Sequence, residues 1–188
     1  GAWIASMLCA DFLPVPWRSL LTGGCIETGT EVWNGGANYY TCAQIVVGGI
    51  DAANSLMAVK KLVYDDQKIT MADLKKALAA NFEGYDQVRK MCFEAPKHGN
   101  DIPEVNKMTH RVYESILKAF NSVDGGGNYL SKDIKSAPDA YTKSIHNLMG
   151  MVTGALPNGK YAGVALTDGS LSAMPGTDVS GPTALVMS

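Results

Sequence analysis

The sequence predicts an α/β fold in which helices pack outside a sheet or barrel. Three observations predict it. Glycine-rich stretches with short apolar runs fill residues 1–49, helical patterns fill residues 51–120, and loop-and-strand material returns from about residue 149. The 188 residues suffice for one domain with a substantial core. Charged residues make up only 18% of them, below the usual quarter or so, so we expect a partner or more of the same chain to cover much of the surface.

Composition and charge exclude several classes of protein. The net charge is −2 and no basic run stands out, so binding to nucleic acid is not expected. No stretch is long and apolar enough to span a bilayer, so we expect no membrane association. The four cysteines form no C-x-x-C pair. No metal site is therefore predicted, and reduced thiols in the cytoplasm are expected.

The first elements are short. Residues 1–24 mix an apolar helical pattern with Pro14 and Pro16, which break or kink helices. Residues 23–49 carry seven glycines and predict loops around one or two short strands, of which residues 44–47 (Q-I-V-V) are the best candidate.

Four helices follow, and three of them have a start signal. Asp51 is placed to cap the first, and Thr70 to cap the second, with Asp73 three residues on as an imperfect capping box. Apolar spacing predicts a third helix from about Tyr85 to Glu94. Asp101 caps the fourth, which runs to about Phe120.

The remaining chain is predicted to be mostly extended. Ser136 is expected to cap one short helix. Residues 149–156 and 161–166 are predicted to form strands, and residues 184–188 resemble a strand cut short. Because both ends of the chain are apolar, we expect them to be cuts through a larger protein.

Three glycine-bearing loops are candidate sites: residues 35–40, 155–159 and 168–178. Glycines in the first allow close backbone approach, and Asn158-Gly159 in the second is a strong turn signal. Asp168 and Asp178 are a possible carboxylate pair in the third, although nothing in the sequence fixes their distance. From the residues alone, ordinary turns are favoured for the first two loops, and a catalytic role for the carboxylate pair in the third is not favoured.

Cys25, the next candidate, precedes Glu27 in G-C-I-E. A neighbouring negative charge raises the pKa of a thiol, so a structural cysteine is expected rather than an activated one.

Several stretches in this order resemble the glycyl radical enzymes of the pyruvate formate-lyase superfamily. Residues 35–40 (G-G-A-N-Y-Y) resemble the family's G-G-A-x-Y-N, and the helix from Asp51 resembles its D-S-L-A-A-I-K-K. Residues 81–85 (N-F-E-G-Y) and 95–101 (A-P-K-H-G-N-D) resemble N-F-E-G-Y and P-K-Y-G-N-D. Three later stretches resemble P-N-G-R, the x-x-G-I-S-P loop and G-x-D-x-x-G-P-T-A: residues 157–160, 168–172 and 176–184.

The resemblance implies that residues 1–188 are part of a ten-stranded glycyl radical enzyme barrel with surrounding helices. We expect them to be an internal segment of a single catalytic domain, truncated at both ends. In the family a cysteine upstream of this segment becomes a thiyl radical and a glycine downstream stores the radical. The segment itself would hold no catalytic residue, no metal and no bound cofactor. The glycyl radical would be installed by an iron–sulfur, S-adenosylmethionine-dependent activase, and the implied assembly is a homodimer.

Residues of this segment would line the pocket for a small-molecule substrate. The resemblance places Leu156 as an apolar wall touching substrate, with Asn38 and Tyr40 as weaker candidates near the barrel mouth. Apolar walls suit radicals because they exclude quenching groups.

Departures from the family pattern bear on the reaction. Tyr40, Ile102-Pro103 and Ala173 stand where Asn, acidic residues and Pro are common. They favour radical C–C bond cleavage or formation, as in arylacetate decarboxylases, alkyl- or arylsuccinate synthases or formate-lyase-like members. A glycerol- or choline-type dehydratase or C–X lyase is the alternative, and a non-catalytic truncated homologue is a third possibility of another class.

Overall fold

A computed structural model describes residues 8–38, 41–121, 135–139, 144–169 and 171–188. The chain divides into two compact units. The first comprises Gly1–Gln44 and Leu117–Ala137, and the second comprises Ile45–Ile116 and Pro138–Ser188.

The described residues of the first unit form mainly short elements. They are α1 (residues 8–12), α2 (Pro16–Leu20), α3 (Cys25–Thr28), a 3-10 turn (Val32–Asn34) and most of strands β1 (Thr41–Ile45) and β2 (Lys135–Asp139), which pair in a two-stranded sheet. Pro14 precedes α2 and Pro16 begins it, so the prolines interrupt the helical pattern as predicted.

A small core in this unit joins Cys25, Val32 and Ala37. Gly36 makes it possible, because a Cβ there would lie only 2.0 Å from the Thr30 carbonyl oxygen and 2.9 Å from Cys25 Sγ. Gly35 adopts φ 82°, in the left-handed region that favours glycine. Close approach and positive φ are what the glycine pair predicts. Cys25 is 4% exposed inside this core, and its structural role stays a prediction.

The second unit is mainly helical. Its helices are α4 (Gly49–Val59), α5 (Met71–Ala79), α6 (Asp86–Glu94), α7 (Pro103–Asn121, whose last residues belong to the first unit), α8 (Ile145–Met151) and α9 (Pro182–Met187). Thr70 caps α5 as predicted: its Oγ1 accepts a hydrogen bond from the Asp73 backbone N–H at 3.1 Å.

The main core cluster lies between α5, α6 and the end of the α4 stretch. Its buried members are Leu62, Leu74, Ala77, Phe82 and Cys92. Helical periodicity predicts the buried positions Leu74, Ala77 and Cys92, whereas Leu62 in the α4 stretch and Phe82 in the turn after α5 are not indicated by it.

A π turn follows α4 without a break. Lys60–Asp65 has π-helical geometry, and the Asp66 backbone N–H donates to the Lys61 carbonyl five residues earlier, at 2.8 Å. Leu62, inside this turn, is 4% exposed and belongs to the main core cluster.

Several predicted elements are wrong. Ser136 does not cap a helix, because Lys135–Asp139 pairs with β1 instead. The strand predicted at residues 44–47 is observed at Thr41–Ile45. Such pairing depends on residues far away in the chain, which local signals do not report.

The predicted strands after residue 144 are also wrong. Residues 149–156 begin in α8 and continue as a turn, and residues 161–166 contain no strand. The apolar run at residues 184–188 lies largely in α9, since Pro182 occupies its first turn and favours a helix start. The described residues therefore form a mostly helical structure with one two-stranded sheet, and the expected ten-stranded barrel is not seen in them.

Candidate functional site

The second unit contains a cavity of about 370 Å³. Its walls come from residues 159–161, 164–168 and 172–175, together with Asp51, Arg89 and His146. The volume falls within the range of small-molecule sites.

Asp51 lies at the junction of two of these walls. It is 2% exposed, in the first turn of α4. Its Oδ1 accepts from Asn158 Nδ2 at 2.8 Å, and its Oδ2 accepts from both the backbone N–H and the hydroxyl of Thr167, each at 2.7 Å. The prediction that Asp51 caps its helix is wrong: the N-cap is Gly48, in the left-handed region at φ 83°. The carboxylate is used for contacts to distant loops instead.

The turn at residues 155–160 is fixed by its own backbone and by Asn158. The Leu156 N–H donates to the Lys160 carbonyl and the Gly159 N–H to the Leu156 carbonyl, each at 3.0 Å. Asn158, fully buried, also accepts from the Lys160 backbone N–H at 3.0 Å. Gly159 is required here, because its φ is 92° and a Cβ would lie 2.9 Å from the Phe93 backbone.

Arg89 joins α6 to this turn. Its Nε donates to the Gly159 carbonyl at 3.1 Å, and its guanidinium stacks 4.0 Å from the centroid of the Tyr161 ring. Among the described residues no carboxylate forms an ion pair with Arg89. These two contacts hold the Arg89 side chain in the lining of the cavity.

Lys160 supplies a second positive charge to the cavity. It is 3% exposed, and its Nζ donates to the Tyr161 carbonyl at 2.9 Å. Burial lowers the pKa of Lys160, and the nearby Asp51 carboxylate opposes that shift. Arg89 and Lys160 thus bring two cationic groups to a lining that also contains the carboxylates of Asp51 and Asp168.

The wall at residues 172–175 is held by a different set of contacts. His98, 2% exposed, places Nε2 2.9 Å from the Leu171 carbonyl, so Nε2 carries the proton. Its backbone N–H donates to Asn54 Oδ1 on α4 at 2.9 Å. Asn100 donates to the Thr177 carbonyl at 2.8 Å. The A-P-K-H-G-N-D stretch thus anchors the 168–178 loop, more than 70 residues later in the chain.

A buried lysine lies in the same stretch. Lys97 Nζ donates to the carbonyls of Cys92 and Ala95, at 2.7 and 2.9 Å, and so caps the end of α6. Burial lowers the pKa of Lys97 to about 8 and raises that of the Cys92 thiol to about 11. A second cavity, of about 360 Å³, borders Lys97 and Asn100.

Of the three residues predicted from the sequence to contact substrate, the structure describes Leu156 and Asn38. Leu156 is half-buried in the 155–160 turn and lines neither of the two cavities described above. Asn38 belongs to the first unit, where its backbone N–H donates to the Gly23 carbonyl at 2.9 Å. Tyr40 lies outside the described residues. The roles of all three stay predictions.

Sequence reasoning missed Arg89 and Lys160. Arg89 is one of several polar residues on an amphipathic helix, and nothing in its spacing distinguishes it. Lys160 follows the Pro157-Asn158-Gly159 turn, and that position was the available signal. Of the suggested carboxylate pair, Asp168 lines the first cavity and Asp178 does not.

The described residues contain no cluster of His, Cys, Asp or Glu able to hold a metal ion. None of the helices in the described part of the chain has the length and apolar character needed to cross a membrane.

Comparison with known proteins identifies the family. The family model described as pyruvate formate lyase-like matches residues 2–150. The chain belongs to this family. As a pyruvate formate lyase-like chain, it is 32% identical to trans-4-hydroxy-L-proline dehydratase of Clostridioides difficile, over 100% of this chain and 23% of that protein. It is also 32% identical to indoleacetate decarboxylase of Tractidigestivibacter scatoligenes, over 99% of this chain and 24% of that protein.

A solved structure gives the same result for the fold. The pyruvate formate lyase-like chain superimposes on the glycerol-bound, B12-independent glycerol dehydratase of Clostridium butyricum with a TM-score of 0.86 and 34% identity. The match covers 97% of this chain and 22% of that one. The chain thus spans about a quarter of the length of the relatives it matches, and those relatives catalyse different reactions.

Proposed function

We propose that the full-length protein carrying this chain is a glycyl radical enzyme that acts on a small organic acid. Membership of the pyruvate formate lyase-like family supports the radical chemistry. The resemblance places the thiyl-forming cysteine before this segment and the radical glycine after it. The proposal includes the remaining ten-stranded barrel, the S-adenosylmethionine-dependent activase as partner, and a homodimer.

The observation that carries the choice of substrate is the pair of cations in the 370 Å³ cavity. Arg89 is held by Gly159 and Tyr161, and the buried Lys160 lines the same cavity. A carboxylate placed between them would gain charge-assisted hydrogen bonds in a site screened from water. Apolar residues in the same walls, including Leu166 and Met174, suit the body of such an acid.

Among reactions on such acids we favour radical C–C bond cleavage or formation, of which arylacetate decarboxylation is one form. Ala173, which stands where Pro is frequent in eliminating members, lines the cavity. The likeness to indoleacetate decarboxylase agrees with this preference. The family resemblance, and not the cavity lining, is the ground for proposing Leu156 as an apolar wall that contacts substrate, with Asn38 and Tyr40 near the mouth of the barrel.

Dehydration is the second candidate. The chain resembles trans-4-hydroxy-L-proline dehydratase and glycerol dehydratase as closely as it resembles indoleacetate decarboxylase, so these likenesses favour dehydration equally. The likenesses therefore do not favour either reaction, and our preference rests on the departures at Tyr40, Ile102-Pro103 and Ala173.

Product analysis separates the candidates. The full-length protein is produced anaerobically with its activase, and the radical is quantified by electron paramagnetic resonance. Indoleacetate, trans-4-hydroxy-L-proline and glycerol are then supplied separately. Carbon dioxide release from the arylacetate supports the proposal, and dehydration products with no decarboxylation establish the second candidate. Protein that takes up no radical would establish the non-catalytic homologue.

The contact residue is tested in the same assay. Leu156→Ala is expected to change the ratio of kcat/KM between two acids of different size by roughly 10-fold, as removal of apolar contacts in a pocket does. Leu148→Ala, at a residue that is 64% exposed on α8, is the matched control and should leave the ratio unchanged.

A further inference from the structure

One buried carboxylate connects two walls of the cavity. Asp51 holds residues 155–160 through Asn158 and residues 164–168 through Thr167, with separate oxygens. Asp51 itself lines the cavity between them. The separation of these walls is therefore set by a single side chain.

The helix that carries Asp51 is a firm support. Its neighbours Ile50, Ala53 and Met57 are each at most 1% exposed. A buried carboxylate is costly unless its oxygens are satisfied, and here three donors satisfy them. Capping a helix or making a surface contact does not require a carboxylate that is only 2% exposed. The burial of Asp51 therefore needs another explanation.

We propose that Asp51 is a positioning residue, which fixes the 155–160 turn, whose residues 159 and 160 line the cavity, relative to the 164–168 wall and so determines which substrates the cavity accepts. This rests on the proposed function, because it takes the cavity as the place where the acid binds. Asp51 acts through Asn158 and Thr167 and takes no part in the chemical step.

The structure provides an internal reference for testing this idea. The third wall, at residues 172–175, is held next to Leu171 by His98 and has no bond to Asp51, although Ser172 Oγ donates to Asp168 in the neighbouring wall at 3.2 Å. The α5–α6 region is held by the main core cluster. Loss of Asp51 as a positioning residue should loosen residues 155–168 and leave these two regions as they are.

Asp51→Asn in the full-length protein is the main variant. Asparagine keeps the size but offers one oxygen and one amino group, so at least one wall faces a donor instead of an acceptor. Hydrogen exchange followed by mass spectrometry is expected to show at least 10-fold faster exchange in residues 155–168 only. KM for the accepted acid should rise more than kcat falls, and the ratio of kcat/KM between two acids should shift by about 10-fold.

Two further variants provide a control and an intermediate case. Asp86→Asn, at an exposed residue in the first turn of α6, is the matched control and should change neither measurement. Thr167→Val removes the hydroxyl bond to Asp51 and keeps the backbone bond, so an intermediate effect is expected. It also keeps the test decisive if Asp51→Asn does not fold.

Each remaining outcome counts against the proposal. Unchanged exchange in residues 155–168 of the folded variants would show that Asp51 does not hold the walls, whatever the reaction. Faster exchange throughout the unit would show a general stabilising role. Local loosening with an unchanged ratio of kcat/KM would remove the link to substrate choice. If the unsubstituted protein turns over no substrate, the proposed function fails and substrate positioning fails with it, while the exchange result alone still decides whether Asp51 holds the walls.

Discussion

The α5–α6 hairpin (residues 71–94) and the loop segment (residues 153–169) are held by different interactions. The hairpin buries Leu74, Ala77 and Cys92 in the main core cluster, and its residues contact mostly near neighbours in the chain. The loop segment has almost no regular structure. Buried polar groups fix it to distant helices, through bonds that span 107 and 116 residues from Asp51 and 70 residues from Arg89.

The difference shows that apolar burial stabilises the hairpin, whereas hydrogen bonds set the conformation of the loop segment. Burial of apolar area is not directional, so the hairpin tolerates changes that keep volume and pattern. Hydrogen bonds to buried groups are directional, so the loop segment has one conformation only while each partner is present. Substitutions in the two regions should therefore differ in kind as well as in size.

The largest effect is expected from the hairpin core. Leu74→Ala, at 2% exposure, should lower the free energy of unfolding by about 3 to 4 kcal/mol, through lost burial and the cavity that remains. Chemical denaturation measures the loss. Lys75→Ala, on the exposed face of the same helix, should change it by less than about 0.5 kcal/mol. Equal losses at both positions would mean that α5 is not held by its buried face.

In the loop segment, the largest loss of stability is expected where a new side chain would collide with the backbone. Gly159→Ala combines positive φ with a Cβ 2.9 Å from the Phe93 backbone, and should cost about 2 to 3 kcal/mol. Gly163→Ala also has positive φ, at 75°, but meets nothing within 4 Å, so it should cost only about 1 kcal/mol. Thermal unfolding of the two variants separates collision from backbone strain, and identical shifts would contradict the contact.

A pH effect should arise where α6 ends. The folded pKa of Lys97 is about 8, below its ordinary 10.5, so the unfolded state binds more protons between these values. Stability should therefore rise with pH through this window and carry the full penalty below it. Cys92, with its pKa raised from 9.0 to about 11, acts in the opposite direction from pH 9 upward.

Between pH 8 and 9 the contribution of Lys97 is thus the easier to isolate. Lys97→Met should make the rise in unfolding free energy smaller by about 1 kcal/mol than in the unsubstituted protein. Lys75→Met serves as the control at an exposed lysine. The same slope in all three proteins would show that Lys97 is not buried as a charged group.

The smallest effect belongs to the surface of the hairpin. Lys90 and Glu94 approach to 3.9 Å on the exposed face of α6, with side chains more than 60% exposed. Such i, i+4 pairs contribute about 0.3 kcal/mol and are weakened by salt. Lys90→Ala should accordingly change denaturation by no more than that, and a loss above about 1 kcal/mol would mean that the pair has a further contact.

The sequence predicted the hairpin better than the loop segment for the same physical reason. Thr70, the Leu74–Ala77 stripe and the apolar face of α6 act over three or four residues, so they are visible in a short window. The strand at Lys135–Asp139 and the burial of Asp51 depend on distant residues, which for Asp51 are 107 and 116 positions away. Glycine conformations at Gly35 and Gly36 could be predicted, whereas the cations Arg89 and Lys160 could not.

The candidate site follows the same division. The sequence resemblance located the 155–160 turn and the A-P-K-H-G-N-D stretch as important, and the structure places both beside cavities. It did not indicate that Asp51 joins the turn to residues 164–168. A helix-capping signal and a buried carboxylate in the first turn of a helix are indistinguishable by residue type.

The π turn at Lys60–Asp65 has a geometric consequence for one continuous helical stretch. One residue advances an α-helix by about 100°, and a π turn accommodates an extra residue without unwinding its flanks. Asp51 before the turn can thereby face polar loops while Leu62 within the turn packs in the apolar core. Deleting a single residue there would change the phase between the two ends, so that restoring Leu62 to its core would rotate Asp51 away from the walls it holds.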